Sequence, residues 1–260
     1  MVIGMKRISV VLLGFCGFVL VACDTGGPTT PTSSGGQTVT SVTQVLSGTL
    51  NPGESPFHTF TIPGTQPLHI TFGSLTNSAG VPLGSTVTLK LGLETTVGSS
   101  LCDPLSTVST TAALKAQINV TVSAGTYCVS LSDTSGVPVT ANYSIRLVYG
   151  TPSDASSSGT ISYSSSVLPG GYTSRNFGVA AAGVAAVTMD SFSPASVSAL
   201  GIGLGFQRND GSGCEVSTVI TASVGGQLTA PVDPGVYCVR VFDPGTLTGP
   251  ANFALRILHP

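Results

Sequence analysis

Apolar and polar residues alternate with period two through many short stretches of this chain, and Gly, Pro and Asn punctuate them. The clearest stretch occurs twice. Ala124-Gly125-Thr126-Tyr127-Cys128-Val129-Ser130-Leu131 returns 110 positions later as Pro234-Gly235-Val236-Tyr237-Cys238-Val239-Arg240-Val241. In each copy a conformationally permissive Gly lets the chain reverse, and the residues that follow suit a pleated, half-buried surface.

The same offset matches Gln117-Ile118 with Gln227-Leu228, Asn142-Tyr143 with Asn252-Phe253, and Ile145-Arg146-Leu147 with Leu255-Arg256-Ile257. Nearer the start of each copy, Phe60-Thr61-Ile62 matches Phe177-Gly178-Val179 and Ile70-Thr71-Phe72 matches Val187-Thr188-Met189, at an offset of 117. The change of offset places extra residues in the first copy, around 77–85, where Gly and Pro cluster. We therefore expect two tandem repeats, 45–150 and 158–260, joined by a linker at 151–157. About eight short strands in each, separated by turn residues, predict an all-β sandwich.

Local propensity disagrees at two places. Val179-Ala180-Ala181-Ala182-Gly183-Val184-Ala185-Ala186-Val187 favours a helix, but its counterpart in the first repeat carries Pro63 and Pro67, which no regular helix accommodates. The repeat takes precedence and predicts strand, turn near Gly183, strand. The Ala-rich stretch 112–116 is read as extended for the same reason.

Composition narrows the partners. Only 8% of the 260 residues are charged and the formal net charge is −2, so no basic face is available to neutralise a run of phosphates, and nucleic acid is excluded as a partner. Abundant Ser, Thr and Gly suit a β-rich surface kept soluble by hydroxyls. Of six cysteines, four fall two to a repeat: Cys102 and Cys128, Cys214 and Cys238. Four thiols allow three pairings, and repeat symmetry favours one bridge inside each copy. Each bridge closes a loop of about 25 residues, which is rated at roughly 3 kcal/mol in the chain-entropy model. Zinc is disfavoured because no CxxC or His pair accompanies them.

At the amino terminus Met5-Lys6-Arg7 precedes an apolar run of about 14 residues that ends at Leu20-Val21-Ala22-Cys23. This arrangement resembles the bacterial lipobox. The resemblance implies a signal peptide over 1–22 and a mature chain that begins at Cys23, acylated on its amine and carrying a diacylglyceryl thioether. Several acyl chains make such a membrane anchor stable. Residues 23–44, rich in Thr, Pro, Ser and Gly, form an expected disordered tether. The expected location is the bacterial cell envelope. Asp24 favours the inner membrane in enteric bacteria, a rule that does not transfer between phyla, so the choice of membrane stays open.

Within each repeat, an aromatic-led strand ending Phe-x-Ile (57–62) is followed by Leu-x-Leu-x-Leu (89–93), Ala-Gly-Thr-Tyr-Cys-Val (124–129) and Asn-Tyr-Ser-Ile-Arg-Leu (142–147). The second repeat answers at 177–179, 200–204, 234–239 and 252–257. This progression resembles the bacterial pre-peptidase C-terminal domain. The resemblance implies a jelly-roll-like sandwich of the kind appended to secreted proteases, where it serves secretion, stability or substrate binding. Members of that family often bind calcium through Asp-x-Asp-Leu before the central strand. Here Thr86-Val87-Thr88-Leu89 and Ser196-Val197-Ser198-Ala199 stand near that place, without the carboxylates. We expect the disulfides to restrain the long loops instead. Signal and tether occupy the residues before the first repeat, so no peptidase domain is expected there.

Candidate chemistry is sparse, and no catalytic residue, metal ligand or cofactor is assigned. His58 and His69 lie on expected strands, their counterparts are not His, and no free Cys joins them. No Gly-x-Ser-x-Gly elbow occurs. Asp103, Asp133, Asp190, Asp210, Asp233 and Asp243 sit singly beside turn residues, where Asp accepts backbone hydrogen bonds. A convergent carboxylate pair of the glycosidase type and a weak calcium site at Asp133 or Asp210 are the enzymatic and metal alternatives. Arg146 and Arg256 occupy equivalent strand positions and are expected to cover apolar surface with their stems and to meet local acceptors. Tyr127 and Tyr237 are expected at the edge of the core. The reading is of a non-catalytic envelope lipoprotein for adhesion, assembly or binding of an envelope protein, peptide or polysaccharide. The alternative is a carbohydrate- or peptide-binding accessory to a separate secreted hydrolase.

Overall fold

The computed structural model describes residues 41–94, 102–134, 136–150, 158–208 and 213–260, and within them it is all-β. The lipobox, Cys23, the tether up to residue 40 and the linker at 151–157 lie outside the described residues.

The first repeat contributes β1 (Val42–Leu50), β2 (Phe57–Ile62), β3 (Gln66–Thr76), β4 (Val87–Glu94), β5 (Cys102–Thr110), β6 (Ile118–Val122), β7 (Gly125–Asp133) and β8 (Ala141–Tyr149). The second contributes β9 (Gly159–Val167), β10 (Tyr172–Val179), β11 (Gly183–Ser193), β12 (Leu200–Gln207), β13 (Cys214–Ala222), β14 (Gln227–Val232), β15 (Gly235–Phe242) and β16 (Ala251–His259). β1 begins at Val42, three residues ahead of the expected edge of the tether, because Val42 pairs with Tyr149 at the end of β8.

The sheets of the first repeat run β1-β8-β3-β6 and β2-β7-β4-β5, and those of the second run β9-β16-β11-β14 and β10-β15-β12-β13. Adding eight to each strand number of the first pair reproduces the second. All pairings are antiparallel, and both repeats are jelly-roll sandwiches. Period-two alternation fills each interior. Leu68, Ile70 and Phe72 of β3 share one core with Leu89 and Leu91 of β4, while Leu255 and Ile257 of β16 share the other with Ile202 and Leu204 of β12 and Val239 of β15.

The Ala-rich stretch follows the repeat. β10 ends at Val179 and β11 starts at Gly183. Here hydrogen bonding to β14 and β16 overrides helix propensity. The stretch 112–116 is neither helix nor strand; it is a loop between β5 and β6 that carries Leu114 away from its own sandwich, as described below.

Each repeat has its own disulfide, Cys102–Cys128 and Cys214–Cys238, spanning 26 and 24 residues. Each bridge joins the two strands that flank a central one, β4 or β12, on the outer face of the sheet. Gly92 of β4 leaves room for it, since a β-carbon there would come within 2.6 Å of the Cys102 sulfur. The Tyr beside each bridging Cys points inward instead. Tyr127 donates to the Ser123 carbonyl at 2.9 Å and Tyr237 to the Asp233 carbonyl at 2.7 Å, the same four-residue reach in both copies.

A second duplicated device closes the loops at the ends of β7 and β15. Asp133 Oδ1 accepts from the amides of Gly136 and Val137 and its Oδ2 from Gly53. Asp243 Oδ1 accepts from Gly245, Thr246 and Leu247, and its Oδ2 from Gly170. Gly53 and Gly170 both have positive φ, so the equivalent turns present the same amide.

Replacing Cys102 and Cys128 together by Ala is expected to lower the unfolding free energy by about 3 kcal/mol, while a chelator leaves the thermal transition in place. Loss of the transition in chelator instead would assign the restraint to a metal. The Gly170 amide most of all holds the Asp243 carboxyl below its usual range; burial opposes it, and the amides of Thr246, Leu247 and Gly245 add to the lowering. A depressed carboxyl contributes stability that is complete above the ordinary carboxylate range and disappears as pH falls through its lower folded value. Asp243→Ala is therefore expected to be less stable than the parent at pH 7, with a gap in urea midpoint that narrows as the pH falls toward about 3.

Candidate functional site at the seam between the sandwiches

The outer face of β8 and β3 packs against the second sandwich, and the residues that make this seam are those whose counterparts stay in solvent. Along β8, Tyr143, Ile145 and Leu147 fill the first core, so Ser144, Arg146 and Val148 point the other way. All three are buried. On β16 the equivalent Arg256 and Leu258 are exposed, Leu258 at 53% against 5% for Val148.

Arg146 is 3% exposed and lies over two rings of the second sandwich, with Cζ 5.0 Å from the centroid of Phe206 and 5.4 Å from that of Tyr237. Burial pushes its guanidinium below the ordinary value, and the Tyr237 hydroxyl and Asp233 carboxylate oppose that shift. Burial likewise raises the Tyr237 hydroxyl, and the Arg146 charge opposes it. A desolvated cation over aromatic faces is worth about 2 kcal/mol. Arg256 instead forms a solvent-exposed contact with Asp190 at 3.4 Å. The two arginines thus part ways: Arg146 meets rings of the neighbouring repeat, and Arg256 has the expected local acceptor.

Two β-bulges meet across the seam. β3 bulges at Gly73 and β13 at Ser217, and the Ser217 hydroxyl donates to the Gly73 carbonyl. Gly73 has to lack a side chain, because a β-carbon would stand 2.9 Å from the Phe206 ring. Gly235, with φ of 146°, is likewise fixed, since a β-carbon would run into the Arg146 guanidinium. Leu114, 2% exposed, joins the second hydrophobic core, and the next residues are tied down where the Ala116 amide donates to Asp233 Oδ2 at 2.8 Å.

Beside the seam the halves diverge into two adjoining clefts of about 440 and 410 Å³ that share Gly80, Val216 and Arg240. Their outer wall is the loop between β3 and β4, where the shift in repeat offset puts the extra residues of the first copy. The larger cleft is lined by Ser47, Thr49, Ser78 and Asn142 of the first sandwich and by Arg208 and Glu215 of the second. The smaller is lined by Val81, Pro82, Tyr172, Val219 and Phe242. Val216, Val219 and Phe242 line it on the second sandwich, and Gly201 and Gly203 of β12 leave room for Phe242 and Val216 to lie across that strand.

Arg240 stands between the two. Its Cζ is 3.8 Å from the Tyr172 centroid, and its buried Nε has no hydrogen-bond partner. Burial lowers its guanidinium below the ordinary value; Tyr172 opposes that, Arg208 adds to it and Glu215 opposes it. Glu215 itself is held by Arg208 at 2.7 Å. Among the described residues, no carboxylate forms an ion pair with Arg240.

The sequence-nominated groups are scattered. His58 Nε2 lies 2.8 Å from the Tyr143 hydroxyl, and burial lowers its imidazole below the ordinary value. His69 Nδ1 lies 2.6 Å from Asn119 Oδ1; the third histidine, His259, which the sequence did not single out, is buried against Phe177. The two carboxylates that line the clefts, Glu215 and Asp243, are engaged by Arg208 and by four backbone amides respectively. Asp210 lies outside the described residues. Among the described residues no three His, Cys, Asp or Glu side chains gather closely enough to hold a metal, and the calcium positions implied by the family resemblance carry hydroxyl or apolar side chains, which do not fit a calcium site. Reasoning from sequence missed Arg240, Tyr172 and Arg208. The available signal was asymmetry: Ser130 stands where the second repeat has Arg240.

No family model matches the chain, and no curated protein matches it. Among solved structures, the Sulfolobus turreted icosahedral virus structure overlaps 87% of this chain and 96% of its own at 12% identity and a TM-score of 0.26. The Paenibacillus xanthan lyase overlaps 84% of this chain and 25% of its own at 12% identity and 0.24, and the CUB1-EGF-CUB2 domain of human MASP-1/3 overlaps 82% and 99% at 9% identity and 0.21. These overlaps are too slight to bear on function.

Arg146→Ala removes the cation and opens a cavity at the seam, at a cost of about 2–4 kcal/mol. Calorimetry is expected to resolve two transitions in the variant where the parent shows one, whereas Arg256→Ala changes stability by less than about 1 kcal/mol.

Proposed function

We propose that the chain is a non-catalytic, lipid-anchored protein of the bacterial cell envelope whose two sandwiches act as a single ligand-binding head. The observation that carries this reading is the seam. Arg146, Leu114 and the Gly73–Ser217 contact lock the repeats together, and in doing so they hold open a cleft built from both. An adhesive or assembly role needs no such fixed cleft; recognition of a ligand does.

The anchor rests on the lipobox-like Leu20-Val21-Ala22-Cys23 and the tether on the Ser-, Thr-, Gly- and Pro-rich residues that follow. Among the described residues no helix is long and apolar enough to cross a membrane. The resemblance to pre-peptidase C-terminal domains supports a role beside secreted enzymes. Within that frame the alternative of an accessory module for a separate hydrolase gains from the Arg240–Tyr172 cleft, which offers binding groups and no uncommitted carboxylate.

Mass spectrometry of the chain from bacterial membranes is expected to find an N-terminal peptide that begins at Cys23 with a diacylglyceryl group and an acylated amine. Cys23→Ser is expected to move the protein out of the membrane fraction. A mature chain with an unmodified Cys23 would reject the anchor.

A further inference from the structure

The uncommitted cation at the junction of the two clefts indicates what kind of ligand fits. Arg240 is already held against Tyr172, so little side-chain freedom remains to be lost when it engages an acceptor. Both carboxylates that line the clefts are already engaged, Glu215 by Arg208 and Asp243 by four backbone amides, so among the described residues neither is paired with Arg240. A guanidinium presents its donors in a planar fork that matches a carboxylate.

The two sides of the junction differ in chemistry. On one side Ser47, Thr49, Ser78 and Asn142 offer hydroxyl and amide groups; on the other Val81, Pro82, Tyr172 and Phe242 offer apolar and aromatic faces. A pyranose ring has this division, with hydroxyls around its rim and C–H groups on its face. The larger cleft runs beside the edge strands β1 and β13, and the smaller crosses the outer face of the β10-β15-β12-β13 sheet. A peptide added as a strand at either edge would be held by backbone pairing and would leave Arg240, Tyr172 and Phe242 unused.

We propose that the seam clefts bind an acidic polysaccharide, with Arg240 receiving a uronate carboxylate, Tyr172 and Phe242 lying against the sugar faces, and the hydroxyl-lined side receiving the ring hydroxyls. This deepens the proposed function and rests on its reading of the chain as a binding protein.

The test is calorimetric titration of the full-length chain in detergent with tetrasaccharides of galacturonate, mannuronate and a glucuronate-containing repeat. A neutral glucose tetramer and an acidic tetrapeptide serve as comparisons. At least one uronate tetramer is expected to bind with a Kd of about 10 μM to 1 mM, weakening as salt rises. Arg240→Met, which keeps the stem over Tyr172, is expected to weaken it at least about tenfold, the change a lost ion pair of about 1.4 kcal/mol produces. A melting temperature within about 4 °C of the parent shows that the variant is folded; if it is not, Arg240→Lys, which keeps the charge and loses the fork, is expected to weaken binding in a folded protein. The proposal is overturned if no uronate tetramer binds, if the neutral tetramer binds as tightly, if only the peptide binds, or if folded Arg240 variants bind like the parent. Release of new reducing ends during titration would reject the non-catalytic reading and leave the cleft assignment standing.

Discussion

A buried arginine with no carboxylate at ion-pair distance among the described residues is a demanding thing to build into a protein, and Arg146 is accommodated because two rings, the Tyr237 hydroxyl and the charge of Asp233 in the other sandwich stand in for water. Two backbone positions make room for that arrangement. Gly73 lets the bulge of β3 come down onto Phe206, and Gly235 leaves space for the guanidinium itself. The relative placement of the sandwiches rests on this contact together with Leu114 and the Gly73–Ser217 bond, and the clefts, whose lining comes from both repeats, depend on that placement.

Inside each sandwich the restraints are local and duplicated. A disulfide crosses the central strand, a tyrosine reaches back four residues to a carbonyl, and an aspartate gathers the amides of two loops. Such features depend on residues close in sequence or on strands already paired. They are copied together when a module is copied. The seam is different in kind, since each of its groups needs a partner contributed by the other module.

That difference decides what could be read from the chain. Alternation at Tyr127, Val129 and Leu131 identified a strand and its buried face, and the offset of 110 shared by the closing halves identified two modules with one bridge apiece. The Pro63 and Pro67 counterparts corrected the helical propensity of the Ala-rich stretch. Repeat symmetry failed where the modules touch. Arg146 and Arg256 look alike in sequence, yet one is enclosed and the other solvated. Leu114 looked like part of an extended segment of its own repeat but fills the second core. Arg240 escaped notice because its neighbours in the cleft, Gly80 and Tyr172, are about 160 and 70 residues away.

The bulges also limit how many modules can stack in this way. The free bulge on the second sandwich has Asp190 where Gly73 accepts the neighbouring serine, and Asp190 is engaged with Arg256. On the first sandwich the position equivalent to Ser217 is Leu105, exposed to solvent. Bringing a second copy alongside by the same rule would press an apolar side chain onto a charge and leave no donor for the carbonyl. Neither free bulge thus repeats the contact that joins the two sandwiches.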